Sequence, residues 1–425
     1  MLDQQERSVR GQVNVGQVPR YTCRFHTHLC RTPETWYSPL MINRVILLVV
    51  DGFGVGALPD GVNYGDAGAN TIGHLAETVD GLKIPNFEML GLGHIASIKG
   101  VRAMVQPTGS FGRLEFASPG KDSVVGYWEI GGVIQKEAQA VCRSGIPVAI
   151  VDIVEQLFGR KSIGRGISSM GVMLRRHSME HMATGAPLLW TDGDNTCVLA
   201  MHESLMAPAE FQQRCREIRK AAKDAGTLIR VVGQPVIGGH DLLRPQVGRK
   251  DFVVEPPGVT MLDVLSRSGQ IVMGVGKVYD LFSGRGLTKS FPVASGMAAF
   301  DTVIGMLNKV PRGLICASLD LLSEDAVQSA TAVQECDRRL PELFERLRLG
   351  DIVIVTGDHG RDFSLPGRTS TREYVPIFAS GPKLAQGVDL GTRTTAADVG
   401  QTIVEALRAE RLPVGESFLD ALRPG

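Results

Sequence analysis

Two carboxylates and a histidine stand directly after apolar runs, where they could hold a metal ion. Asp51 follows Val45-Ile46-Leu47-Leu48-Val49-Val50 and precedes Gly52-Phe53-Gly54-Val55-Gly56; Asp358-His359-Gly360 follows Asp351-Ile352-Val353-Ile354-Val355-Thr356-Gly357. Apolar, largely β-branched runs predict strands buried on both faces of a parallel sheet. Open α/β sheets bind ligands at the carboxyl ends of such strands, and the glycines let a backbone approach an anion or metal without a Cβ in the way. A third stretch, Pro119-Gly120-Lys121-Asp122-Ser123, leads from a turn into a helix start, where free amides and the helix dipole favour an anion beside the Ser123 hydroxyl. Taken singly, each has a plainer reading: a solvated turn acid for Asp51, a helix cap for Asp122-Ser123. Together they point to phosphoryl chemistry, since a metal held by Asp51, Asp358 and His359 would lower the hydroxyl's pKa and neutralise a phosphate.

The elements that must position these groups follow from the rest of the chain. At 425 residues and 43% hydrophobic, it can bury a core large enough for two domains. Lys and Arg together number 45, as do Asp and Glu, so no net field recruits nucleic acid or membrane. The cysteines, 7 in number, are scattered and lack a CxxC pair, which argues for a reducing, cytoplasmic setting. No apolar run approaches the roughly 20 residues of a membrane helix, and no signal-peptide core is visible. Residues 1–40 are polar and aperiodic and read as a disordered extension. Helix starts are expected at Asn70-Thr71 and Pro85-Asn86, and His74 reads as a polar residue satisfied within the core.

Several collinear stretches carry a family resemblance: Arg44 to Gly56, DAGANTIGHLAE from Asp66, LKIPNFEMLGLG from Leu82, PGKDSVVGYWEI from Pro119, GKVYD from Gly276, Thr356 to Gly360, and TREYVP from Thr371. They resemble phosphopentomutases of the alkaline phosphatase superfamily. The resemblance implies an α/β fold: a metal-binding core with a central, mostly parallel sheet flanked by helices (41–140 and 256–425), interrupted by a smaller α/β cap (141–255). It implies interconversion of ribose or deoxyribose 1-phosphate and 5-phosphate through a phosphorylated hydroxyl at Ser123, where the family has Thr, and a sugar bisphosphate that can also act as activator. It further implies Mn²⁺, or Mg²⁺, held by Asp51, Ser123, Asp358 and His359. Lys277, Arg244 and Arg249 fall near family positions that meet the sugar phosphate, and Ser169 lies where the family reads PASGTE; a solvated loop charge is the alternative for Arg244 and Arg249.

The departures concern a second ion. In the family its ligands come from a loop after the strand corresponding to Leu314–Leu319 and from a His directly before TREYVP. Here that loop reads Asp320-Leu321-Leu322-Ser323-Glu324-Asp325, shorter and without His, and the position before TREYVP is Ser370. Either the ion is absent, leaving one rather than two, or Asp320, Glu324 or Asp325 replaces part of its shell. Loss of one ion would cost roughly four orders of magnitude in rate at about 1.4 kcal/mol per tenfold. Arg361, Arg368 and Arg372 lie near the vacated position in sequence and could supply charge to a phosphate, Arg372 within the retained motif being the best placed. In the cap, an Arg expected between Arg230 and Gly238 is replaced by Gln234.

The leading expectation is therefore a phosphopentomutase-like phosphotransferase acting on a small sugar phosphate, with no nucleic acid or membrane partner and the number of subunits open. Two rivals stand beside it: a one-metal phosphotransferase or phosphatase acting on another phosphorylated sugar or nucleoside, and a catalytically degenerate homologue that binds a sugar phosphate or a protein.

Overall fold

A computed structural model describes residues 41–137, 142, 144–193, 195–224, 230–323, 325–365 and 370–424. The extension expected at 1–40 lies outside the described residues, as do Glu324 and Arg368. The chain begins with β1 (Arg44–Val50) and, after helices at Thr71–Thr78 and Pro85–Leu90, forms β2 (Ser110–Leu114) and the helix Ser123–Ile130. It then builds β3 (Ile163–Ile167), β4 (Leu188–Thr191), β5 (Thr196–His202), β6 (Arg230–Gly238), β7 (Leu243–Pro245) and β8 (Lys250–Val253). It closes with β9 (Val272–Val275), β10 (Lys289–Phe291), β11 (Gly313–Leu319), β12 (Asp351–Gly357), β13 (Val375–Ser380) and β14 (Asp389–Arg393).

An eight-stranded sheet runs β10-β9-β11-β1-β12-β13-β2-β14. From β10 through β12 the pairs are parallel; β13 pairs antiparallel with both β12 and β2. β1, β11 and β12 are buried at every position, as expected of strands covered on both faces. Their side chains alternate between two apolar cores, Val45, Leu47 and Val49 in one and Ile46, Leu48 and Val50 in the other. The register decides the site: Val50 lies opposite both Leu319 and Gly357, so the next residues, Asp320, Asp51 and Asp358, leave the sheet side by side.

The six strands β3 to β8 form a separate mixed sheet. Its helices divide between its faces in the same way: Val148–Phe158 and Pro208–Asp224 pack with Cys197, Leu199 and Met201, and Met170–Thr184 packs with Val198 and Ala200. Edge strand β8 is tied to the large sheet's helix Val278–Leu281, Asp251 donating its backbone N–H to Asp280 (3.1 Å). The α/β architecture, with a mostly parallel main sheet and a smaller second one, agrees with the sequence reading. Among the described residues no helix is long and apolar enough to cross a membrane.

Candidate active site

The carboxyl ends of β1 and β12 bring together Asp51, Asp358 and His359, whose potential ligand atoms all lie within 4.8 Å of one another; all three residues are buried. His359 Nε2 lies 3.6 Å from Asp51 Oδ1 and 3.6 Å from Asp358 Oδ2. Its Nδ1 donates to the Gly360 carbonyl (2.7 Å), which leaves the Nε2 lone pair as the ligand. Asp358 Oδ1 accepts from Gly52 N (3.0 Å), whereas its buried Oδ2 has no hydrogen-bond partner. A buried carboxylate oxygen left bare beside a second carboxylate and an imidazole lone pair is a donor set that fits a divalent cation.

The electrostatics agree. Burial would raise the Asp51 carboxyl, but Lys277, His359 and Arg361 hold it far below the ordinary carboxylate range. Burial raises Asp358 and Asp51 adds to that, against the pull of His359. His359 is raised despite burial, because Asp358 and Asp51 face it. The two acids diverge because, of the pair, Lys277 stands beside Asp51 alone, while burial, with Asp51 as a neighbour, pushes Asp358 up.

Ser123 is the first residue of its helix, and its Oγ lies 3.0 Å from His359 Nε2. The amides expected to greet an anion there are already engaged: Asp122 Oδ1 accepts from Val124 N (2.7 Å) and Val125 N (3.2 Å). Its own carboxylate is thus the anion at this helix start, and the hydroxyl is what remains for chemistry. The helix presses closely on the end of β12, since a Cβ on Gly126 would sit 2.1 Å from the Asp358 carbonyl oxygen.

Positioning of this half falls to buried polar residues that the sequence reading did not single out. Glu129 accepts from Ala117 N (2.8 Å), Ser118 N (2.7 Å) and Thr395 Oγ1 (2.7 Å), fixing the turn ahead of Ser123. Glu373 accepts from Gly56 N (3.1 Å), Thr71 N (2.9 Å), Thr71 Oγ1 (2.6 Å) and Thr371 Oγ1 (2.6 Å), joining the loops that follow β1 and β12. Gly54 and Gly360 are needed here, because a Cβ on either would fall 2.3 or 2.2 Å from a Glu373 oxygen. Acids inside TREYVP and YWEI were the available signal.

Arg372 differs from its expected role. Its Nη1 donates to the carbonyls of Ser118 (2.8 Å) and Gly120 (2.7 Å), its Nη2 to Phe116 O (2.6 Å), and its Nε to Asp60 (3.1 Å). A guanidinium so engaged clamps the turn before Ser123 and has no face left for a substrate. Arg361 instead lines the main cavity, resting on Leu322 O through Nη1 (3.2 Å). His74 is satisfied by Asp362 (2.7 Å) while remaining partly exposed.

That cavity, about 620 Å³, opens between the two sheets. The large sheet contributes Asp51, Ser123, Lys277, Asp320, His359 and Arg361; the small one contributes Ser169, Trp190, Asp192, Arg230 and Arg249. Ser169 also caps the helix Met170–Thr184 through Val172 N (3.4 Å). Arg249 binds Asp251 through Nε (3.1 Å). Arg244 is brought elsewhere: on β7 its neighbours Leu243 and Pro245 line the cavity, so strand alternation turns it to the opposite face, where it is exposed. Buried Arg230, paired with Asp251, was missed because Gln234 drew attention on the same strand; Gln234 donates to Pro235 O (2.7 Å) and Gln246 O (2.9 Å).

On the other flank of Asp51 the described candidates for a second ion, Asp320 and Asp325, do not assemble a site. Asp325 is exposed and caps the helix Ala326–Phe344 through Gln328 N (2.9 Å). Asp320 Oδ2 pairs with Lys277 Nζ (3.0 Å), which also donates to Asp51 Oδ2 (2.7 Å). Among the described residues, Asp51, Asp358 and His359 form the single cluster with three potential ligands.

Comparison with known proteins bears on this arrangement. A family description, the metalloenzyme superfamily, matches residues 269–411. The chain is 35% identical over 388 residues to a phosphopentomutase of Alkaliphilus oremlandii, covering 90% of this chain and 100% of that protein. It is 36% identical over 385 residues to a phosphopentomutase of Clostridium novyi, covering 89% of this chain and 99% of that protein. Among solved structures, the PH0037 protein of Pyrococcus horikoshii aligns with a TM-score of 0.44 at 14% identity, over 88% of this chain and 100% of that one. The last likeness is too slight to carry an argument.

Proposed function

Since the chain belongs to the phosphopentomutase family, we propose that it interconverts ribose or deoxyribose 1-phosphate and 5-phosphate, with Ser123 as the phosphate carrier. In the first transfer the bond between phosphorus and Ser123 Oγ breaks as a sugar hydroxyl oxygen bonds to phosphorus and loses its proton. In the second, the ester bond between the other phosphorus of the bisphosphate and its sugar oxygen breaks as Ser123 Oγ bonds to that phosphorus, the freed sugar oxygen takes up a proton, and the isomer departs. The observation that carries this reading is the 3.0 Å approach of Ser123 Oγ to His359 Nε2, beside two acids and at the wall of a cavity furnished with Lys277, Arg249 and Arg361.

Asp51, Asp358 and His359, with Ser123 Oγ, would hold one divalent cation, Mn²⁺ or Mg²⁺, which supplies positive charge that lowers the hydroxyl's pKa and neutralises phosphate. Arg361 and Lys277 face the cavity beside that charge, suiting a transferring phosphoryl group. Ser169, Arg249 and buried Arg230 lie on the cap side, where a sugar's distal phosphate would sit; the small sheet serves as the cap of 141–255. The cysteines among the described residues are free and buried, in accord with a cytoplasmic setting. The turned-away Arg244 and the internally bonded Gln234 favour a second reading, the same transfer on a different phosphorylated sugar.

Phosphorus NMR tests the proposal. Protein with Mn²⁺, ribose 5-phosphate and a trace of sugar bisphosphate is expected to yield ribose 1-phosphate, and Ser123→Ala to yield none. Absence of product from the wild-type protein, with metal bound, moves the search to other phosphorylated sugars; product from Ser123→Ala removes Ser123 from the reaction.

A further inference from the structure

The Asp51 carboxylate has two oxygens with different neighbours. Oδ1 faces His359 Nε2 at 3.6 Å, while Oδ2 accepts from the Lys277 ammonium at 2.7 Å. The same ammonium lies 3.0 Å from Asp320 Oδ2. Asp320 and Asp51 leave adjacent strands, β11 and β1, and Lys277 rises just after β9 on the far side of β11, so one side chain spans three strand ends. The backbone beneath it is built for this reach: Gly276 takes φ +72, and a Cβ there would lie 2.9 Å from Ser318 O on β11.

We propose that Lys277 is the resident second cation of this centre: with no third carboxylate or imidazole beside Asp51 and Asp320 among the described residues, its ammonium, seated between those two acids, holds that flank and limits the site to one divalent ion. Besides facing the cavity, Lys277 is toward the metal a positioning residue that acts through Asp51. The proposal rests on the reading that Asp51, Asp358 and His359 hold a divalent cation. Formal charge supports the count. Asp51, Asp358 and Asp320 carry three formal negative charges and Lys277 one positive, so a single dication brings these four groups to zero and a second would leave them two positive. The donor set agrees as well, since Asp325, the other described acid of that loop, points to its own helix amide.

A fixed positive charge beside a ligand carboxylate repels an incoming dication and competes for its oxygen. Mn²⁺ titration of the full chain, followed through the EPR signal of free Mn²⁺ with native mass spectrometry for the count, is expected to show one ion per chain. Lys277→Met should tighten that ion by roughly tenfold or more and admit a second, weaker one, and Lys277→Arg should restore a count of one. Asp320→Asn should act in the opposite sense, weakening Mn²⁺ several-fold by leaving the ammonium to Asp51 alone; a general loss of structure would not give opposite signs, and this variant decides the matter should Lys277→Met fail to fold. Two ions of similar affinity in the wild-type protein, or an indifferent response to both substitutions, would overturn the role of Lys277 while leaving the metal reading intact. No Mn²⁺ bound by the wild-type protein or any variant would overturn both.

Discussion

The two flanks of Asp51 are built on different principles. Toward β12, the hydroxyl of Ser123, the imidazole of His359 and the bare oxygen of Asp358 converge on one point, and their loops are locked by Glu129, Glu373 and Arg372, none of which lines the main cavity. Toward β11 and β9, a flexible lysine joins two acids and one of them, Asp320, remains 41% exposed. Rigid ligands with bonded supports suit a metal, which rewards fixed geometry. An ammonium bonded to two acids suits a fixed charge that keeps its place without a cage of ligands.

Breaking the rigid flank at its centre should have the largest effect. His359→Ala removes the ligand that Ser123 touches, so turnover is expected to fall by roughly a thousandfold or more, with Mn²⁺ affinity lost in parallel by EPR and the melting temperature little lowered. Retained metal binding with lost turnover would instead assign His359 to proton transfer.

Next in size are the supports. Glu373→Ala strips four donors of their acceptor in a buried setting and should cost about 3 to 5 kcal/mol in urea unfolding. Arg372→Lys keeps the charge but cannot reach three carbonyls and Asp60 together, so about 2 to 4 kcal/mol is expected, with kcat lowered and KM unchanged. A raised KM at full stability would return Arg372 to the substrate and blur the division between flanks.

That division explains how much of the site was legible in the sequence. Asp51, Asp358 and His359 could be read because a buried parallel strand has a plain signature, an unbroken apolar run, and the residue after it must emerge at the sheet edge. Ser123 was visible through its turn and helix start. Strand order was not visible: that β11 and β12 flank β1, and hence that Asp320 and Lys277 share a partner in Asp51, is a property of long-range pairing. Arg244 and Arg372 misled for a related reason. Position in sequence placed both near the site, whereas the direction of each side chain depends on strand parity for one and on a web of carbonyls for the other. Buried Glu129 and Glu373 carry the complementary lesson: an acid within an apolar motif is a sign of backbone donors awaiting it.

The lysine flank titrates differently from the metal flank. Asp280, behind Lys277 on the helix Val278–Leu281, is raised to about 6, by burial first and by Asp251 beside it. Its protonated form is favoured in the fold, so its contribution to stability is full below the unfolded value of 3.8 and is lost as pH climbs through about 6. Asp280→Asn, which keeps an acceptor for Asp251 N, should therefore stabilise the protein by about 2 kcal/mol at pH 7.5, and the gain should vanish near pH 3.5. A gain independent of pH would mean that packing, and not charge, sets the balance.

The smallest expected effects separate two cap arginines that look alike in sequence. Arg249 lines the cavity and is anchored by Asp251, and Arg244 stands on the opposite face of β7. Arg249→Ala leaves Asp251 its partner Arg230, so the fold should survive while KM for the sugar phosphate rises by roughly tenfold, about 1.4 kcal/mol of charge-assisted binding. Arg244→Ala should leave KM within about twofold, since a solvated arginine outside the cavity has little to lose. Equal and large effects from both would require β7 to turn over when substrate binds, placing a moving edge strand above the lysine flank in place of a fixed cap.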